Sequence, residues 1–189
     1  MKRKISLLCA ALLLTTLLTG CGGSGVAPVV TVNGTELTIG ESYIYTLTQT
    51  DEGYQERIYR ADAVGAVPYG ELEANSYCAD LLHIYKDDKP CVTVKVYNPS
   101  REAKLISLCP ISELTFSMED THALVNGIDF SAMDSAGVKE AMAAYKLGKE
   151  TDSGTLRYDD GEYKYFFRFD EATGLVTEIS VEIVFGKSY

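Results

Sequence analysis

The side chains best suited to covalent or metal chemistry are five cysteines and two histidines, and their surroundings sort them. Cys21 stands apart. It closes the segment Leu18-Thr19-Gly20-Cys21 at the end of an apolar run, behind a small residue and ahead of Gly22, Gly23, Ser24 and Gly25. Cys78, Cys91 and Cys109 lie far downstream with no Cys-x-x-Cys pair among them. His83 and His122 show no recurrent ligand distance, so no metal site is expected. Catalysis needs a nucleophile with its base, two acids in a cleft, or a metal. Neither histidine belongs to a nucleophile motif, and no Gly-x-Ser-x-Gly, Walker or Rossmann fingerprint occurs. Asp87-Asp88 and Asp159-Asp160 are paired carboxylates, but each pair falls in a predicted turn, where aspartate bonds its own backbone. Asp159 to Glu162 also lacks calcium-loop spacing. The sequence predicts no catalytic residue, no cofactor and no metal.

Met1-Lys2-Arg3-Lys4 is a positive n-region, and Ile5 to Leu18 is an apolar run too short to span a bilayer comfortably. With Gly20-Cys21 behind it, this pattern resembles the lipobox of bacterial lipoproteins, in which the cysteine thiol is lipidated and the chain is cut just before it. The resemblance implies a signal peptide over 1–20, a diacylglyceryl group on Cys21 and a flexible tether over 21–28. It places the mature protein on the outer face of the bacterial cell membrane, since two acyl chains anchor stably where one does not. An ordinary secretory signal with an incidental cysteine is the alternative. A transmembrane helix is disfavoured by the glycines that follow.

Loss of Lys2, Arg3 and Lys4 with that leader takes 17 basic residues to 14 against 27 acidic ones, a net charge of −13. Such a domain repels nucleic acid and anionic lipid, so no nucleic-acid partner is expected. An apolar fraction of 46% argues against global disorder.

The expected fold class is α+β, with antiparallel sheets and short covering helices. A strand-rich N-terminal unit is assigned to 29–118, and a helix-plus-meander unit to 119–189. Asn33-Gly34 predicts a hairpin, and Glu41 to Gln49 leans towards a short helix. Asp51 to Asn75 has no clear period and reads as a long surface excursion. A second hairpin runs from Cys78 to Tyr97 about a loop at Lys86 to Pro90, with Leu82, Ile84, Val92, Val94 and Val96 on its inner face. Cys91 then falls on the outer face with Thr93 and Lys95. Cys78 lies at the far end, about 23 Å from the position opposite Cys91. That excludes a bond between those two; one disulfide with a leftover thiol, or none, stays open, and Cys78–Cys109 with Cys91 free is the candidate pairing. One strand is expected from about Lys104 to Ser117.

Asp134 or Ser135 can cap a helix over Ala136 to Leu147, with Val138, Met142 and Tyr145 on one face and Gly148 as its stop. A hairpin follows in which Tyr163, Tyr165, Phe167 and Phe169 alternate with polar residues. After the Ala172-Thr173-Gly174 turn, Leu175, Thr177, Ile179, Val181 and Ile183 share a face. Val32-Asn33-Gly34-Thr35-Glu36-Leu37-Thr38 echoes Val125-Asn126-Gly127-Ile128-Asp129-Phe130-Ser131, which leaves two tandem helix-plus-meander units open as an arrangement.

Lipobox, Gly-rich tether, Val-Asn-Gly segment and Tyr97-Asn98-Pro99-Ser100 together resemble a group of small Firmicute lipoproteins of unknown function. Phe169 to Ile179 resembles the closing hairpin of domains shaped like the β-lactamase inhibitor protein, which implies a helix on a sheet over residues 125–185. No inhibitory residue carries over, because Ala132-Met133-Asp134 and Gly148-Lys149 depart from that pattern. The expected role is a protein-binding or envelope scaffold module, with a small-ligand-binding protein or an unfamiliar envelope hydrolase as the competing classes. Thirteen tyrosines supply contact area with polar tips. Tyr43, Tyr45, Tyr54, Tyr59 and Tyr69 are the surface candidates; Tyr145, Tyr163 and Tyr165 read as core. The lack of tryptophan weakens carbohydrate binding as an option. Replacement Cys21→Ser is expected to abolish metabolic labelling by an alkyne-tagged fatty acid and to release the chain from the membrane fraction; retained labelling would refute the assignment.

Overall fold

A computed structural model describes residues 26–49, 54–60, 63–64, 70–79, 81–148, 150 and 154–184, with backbone alone for 54–60 and 63–64. The predicted signal peptide, Cys21, most of the tether and Tyr69 lie outside the described residues. The chain begins with a hairpin of β1 (Val29–Val32) and β2 (Thr35–Thr38). Its turn places Asn33 and Gly34 at φ of +47° and +89°, a left-handed pair that suits the twist of an antiparallel hairpin. The short helix α1 (Ile44–Thr48) follows, as the sequence predicts, and buries Ile44 and Leu47.

The expected excursion over Asp51 to Asn75 is corrected. It contains β3 (Tyr54–Arg60), β4 (Ala63–Val64) and β5 (Glu71–Leu72), and β3 pairs along six residues with the later strand β7 (Leu81–Lys86). Between them lies β6 (Ser76–Tyr77). The turn after β7 is Asp87-Asp88, both at positive φ, and leads into β8 (Lys89–Asn98). The single strand expected from Lys104 is divided into β9 (Lys104–Leu105), a 3-10 turn over Ile106–Leu108, and β10 (Ile111–Ser117). Pro110, which has no N–H to give a ladder, stands at the break.

Strand β11 (Ala123–Val125) pairs antiparallel with β1, so the two echoing Val-Asn-Gly turns leave the pair at opposite ends. Asn126 and Gly127 repeat the left-handed turn at +51° and +78°. Helix α2 (Ser135–Ala141) starts where Asp134 accepts the Gly137 N–H at 2.8 Å. It stops six residues short of the predicted end, because Lys146–Leu147 form β12 and pair with β13 (Leu156–Asp159). Strands β14 (Tyr163–Phe169) and β15 (Val176–Ile183) complete the chain.

The architecture is mainly β. Strands account for 48% of the described residues and helices for 11%, with one helix among them reaching seven residues, so the α+β expectation is overturned. Both predicted helices exist but cap a sheet rather than form a layer. The large antiparallel sheet runs β12-β13-β14-β15-β10-β8-β7-β3-β4, with β6 also on β8. It joins strands of 29–118 to strands of 119–189 at β10–β15. Its inner face carries Leu82, Ile84, Val94, Leu114, Phe116, Tyr165, Phe167, Ile179 and Val181, in one continuous core with Val30, Val32, Leu37, Val138 and Met142 from the covering segments. Phe130 packs on Phe167 at 4.9 Å between ring centroids, and Tyr145 on Tyr165 at 5.1 Å.

Bulges break the expected alternation. Ile84 pairs with Val92 but Tyr85 pairs with Pro90, so Cys91 is the extra residue and turns inward instead of joining Thr93 outside. Likewise Arg168 pairs with Glu178 and Phe169 with Val176, leaving Thr177 extra. That shift buries Val176 and exposes Leu175 and Thr177, the reverse of the predicted face.

Asn98 is fully buried at the end of β8 and its amide donates to the carbonyls of Leu72, Glu73 and Glu102 at 2.8, 3.1 and 2.8 Å. Its Oδ1 accepts from the Ser100 N–H at 3.0 Å. One side chain thus ties the 72–73 segment and the turn at 98–102 together. Replacement Asn98→Ala removes those bonds and is expected to cost about 2–3 kcal/mol in urea unfolding at unchanged m-value; a loss under ~0.5 kcal/mol would contradict this role.

Candidate functional site

The outer face of the large sheet is the most ordered polar surface of the molecule, and cross-strand register builds it. One row places Lys95, Glu113, Glu182 and Lys164 on β8, β10, β15 and β14, each opposite the next. Glu113 and Glu182 face each other directly, a repulsive pairing relieved from both sides. Lys95 Nζ lies 2.6 Å from Glu113 and Lys164 Nζ 2.9 Å from Glu182. The Lys164 side chain is only 15% exposed, so its ion pair is more desolvated than an ordinary surface pair. Two residues along, Thr93, Thr115, Ser180 and Phe166 form the next row, and the Thr115 hydroxyl bonds Ser180 Oγ at 2.9 Å. A third row pairs Arg168 with Glu178 at 3.0 Å. On β13, Arg157 stands opposite Phe166 in the second row, 5.8 Å from its ring centre, and bonds Asp159 at 2.9 Å. Between the charged rows lies a groove of about 300 Å³, lined by Lys95, Glu113, Thr115, Phe166, Arg168 and Ser180 among others.

A second feature is apolar. Tyr45, Tyr77, Leu105 and Leu108 are exposed large hydrophobics, with Leu108 at 53%. They belong to segments bonded around the end of β8 and the start of β10. Tyr77 pairs with Tyr97, whose N–H bonds the Pro110 carbonyl; the Ile111 N–H bonds Ser42, just before α1; and the Ile106 N–H bonds Gly70.

Of the tyrosines singled out in the sequence, Tyr43 and Tyr45 flank the start of α1 as a parallel stack with centroids 5.3 Å apart. Tyr45 is exposed and Tyr43 half-buried. Tyr54 and Tyr59 fall on β3, where the backbone alone is described, and Tyr69 lies outside the described residues. Tyr77, Leu105 and Leu108 were not singled out, since a lone leucine in a predicted strand carries no sign of its face. Cys78 and Cys109, the candidate disulfide pair, are both buried thiols. The Cys78 N–H bonds Val96 on one edge of β8, and Pro110 beside Cys109 bonds Tyr97 on the other. They are close enough that charge on Cys78 pushes the Cys109 thiol up, adding to burial. Cys91 accepts a hydrogen bond from Asn33 Nδ2 at 3.4 Å, and its thiol is likewise pushed up by burial.

His83 meets Thr93 Oγ1 at 3.1 Å through Nδ1, with its pKa lowered by burial. Among the described residues no group of three His, Cys, Asp or Glu side chains could hold a metal ion. Asp159 and Asp160 cap their own turn, accepting the N–H groups of Gly161 and Tyr163 at 2.8 and 2.7 Å. No helix among the described residues is long and apolar enough to cross a membrane. No protein-family model matches the sequence, and no curated protein or solved structure is significantly similar to it.

The buried acids share one sign of shift. Burial raises Cys91, Cys109, Tyr158, Tyr163 and Tyr165, most strongly Tyr165. Each therefore holds its proton more tightly folded than unfolded. The stability this carries is present below the ordinary thiol value of 9.0 and is lost as pH climbs through the raised folded values. The urea midpoint is expected to fall steadily from about pH 9 to 11, and Tyr165→Phe to flatten that fall; identical pH slopes in the two proteins would contradict the assignment.

Proposed function

We propose that this protein is a membrane-anchored extracytoplasmic lipoprotein that binds another protein of the cell envelope. The observation that carries the binding half is the exposed Tyr45, Tyr77, Leu105 and Leu108 around the β8–β10 junction. Exposed aromatic and aliphatic side chains gathered at one end of a rigid sheet favour protein association. The sheet beneath them is braced by Asn98 and by the β8–β10 ladder, so the surface is presented without an ordering cost. The membrane half rests on Leu18-Thr19-Gly20-Cys21 and the lysine-rich start of the chain. The acidic balance supports this reading, because it keeps the domain off an anionic bilayer and available to a partner.

Crosslinking in intact cells followed by mass spectrometry tests the binding reading. One envelope protein is expected to be recovered repeatedly, and Leu105→Asp and Leu108→Asp are each expected to remove it. Their effect on stability should stay within about 0.5 kcal/mol, as for exposed sites in general. Recovery of no partner, or of the same partner by both variants, would overturn it.

A further inference from the structure

We propose that the groove on the outer face of the large sheet binds an uncharged, hydroxyl-rich chain, a segment of neutral polysaccharide. This goes beyond the protein-binding reading and uses a different surface. Three observations carry it. The first is charge. Lys95, Lys164 and Arg168 are each paired with Glu113, Glu182 or Glu178, so a face on a chain of net charge −10 offers no net charge of its own. A charged ligand has to separate one of these pairs, whereas a neutral polyol does not. Each carboxylate accepts about four hydrogen bonds and each ammonium donates three, so every pair keeps capacity for hydroxyl groups while it stays closed.

The second is the floor. Thr115 and Ser180 present hydroxyls, which both donate and accept, midway between the charged rows. The third is Phe166, a half-buried ring that lines the same groove, with the Arg157 guanidinium 5.8 Å from its centre on the β13 side. An aromatic face offers an apolar platform to the C–H side of a sugar ring, and it supplies here what tryptophan would elsewhere. The groove lies on a sheet face, where backbone N–H and C=O groups are already spent in the ladders. An extended peptide has no strand edge there to pair with.

Isothermal titration of the full chain in detergent micelles tests this with cellohexaose, maltohexaose and chitohexaose as neutral probes. Hexagalacturonic acid and a neutral glycine–serine peptide serve as the competing classes. At least one neutral hexasaccharide is expected to bind, with a Kd that changes less than about twofold between about 0.05 and 0.5 M salt. Phe166→Ala and Thr115→Val are each expected to weaken it roughly tenfold. Ser180→Ala, the least disruptive change on the floor, provides a third variant should either of those lower the Tm. The proposal is overturned if no neutral hexasaccharide binds. It also fails if all folded variants bind as the parent does, or if the acidic oligomer or the peptide binds more tightly.

Discussion

Five residues of β10, Glu113 to Ser117, pair antiparallel with Glu178 to Glu182 of β15, and the large sheet is continuous through that seam. The register has a cost built into it, because it sets Glu113 against Glu182. Lys95 on β8 and Lys164 on β14 offset the repulsion from the two sides, so the seam is electrostatically complete once four strands are in place. Those strands come from chain segments more than sixty residues apart, between Glu113 and Glu182. The inner side of the same seam is Leu114 and Phe116 against Val181 and Ile179, all buried. Apolar packing below and ion pairing above thus select the same register, since a slip by one residue would exchange the two faces.

Much of this was legible in the sequence. The Asn-Gly turns, the Asp134 cap, the inner face of the β7–β8 hairpin and the buried side of β14 all follow from local chemistry and period. What failed did so for a common reason. Alternation predicts a face only while the pairing is regular, and the bulges at Cys91 and Thr177 each change parity within one strand. Pro90, which cannot donate to a ladder, is a local mark of the first, whereas the second follows only from its pairing with β14. The α+β expectation failed differently. The helical period over Ala136 to Leu147 is real, but Lys146 and Leu147 gain ladder partners in β13 that outweigh a final helical turn. The outer grid was invisible because cross-strand register is not written in any one strand. Its residues read as scattered polar positions until register lines up Lys95, Glu113, Glu182 and Lys164.

The two surfaces have different physical characters. Around the β8–β10 junction the exposed side chains are apolar and aromatic, suited to burial against another protein. On the sheet face the side chains are charged and hydroxylic, with their demands largely met among themselves. Neither resembles a catalytic centre: the carboxylates of the face are held by lysine and arginine, and those of the Asp159-Asp160 turn by backbone N–H groups.

The ends of the large sheet have a bearing on crowding. It terminates in β4 and β12, each two residues long, while the long strands lie inside. β4 covers only Tyr59 and Arg60 of β3, so among the described residues the stretch 54–58 has a strand partner on one side alone, in β7. Molecules confined to a surface meet at far higher local concentration than in solution, and open β-sheets under those conditions are prone to fibre growth. The 54–58 margin is where such growth would begin, and β4 shortens it by two residues.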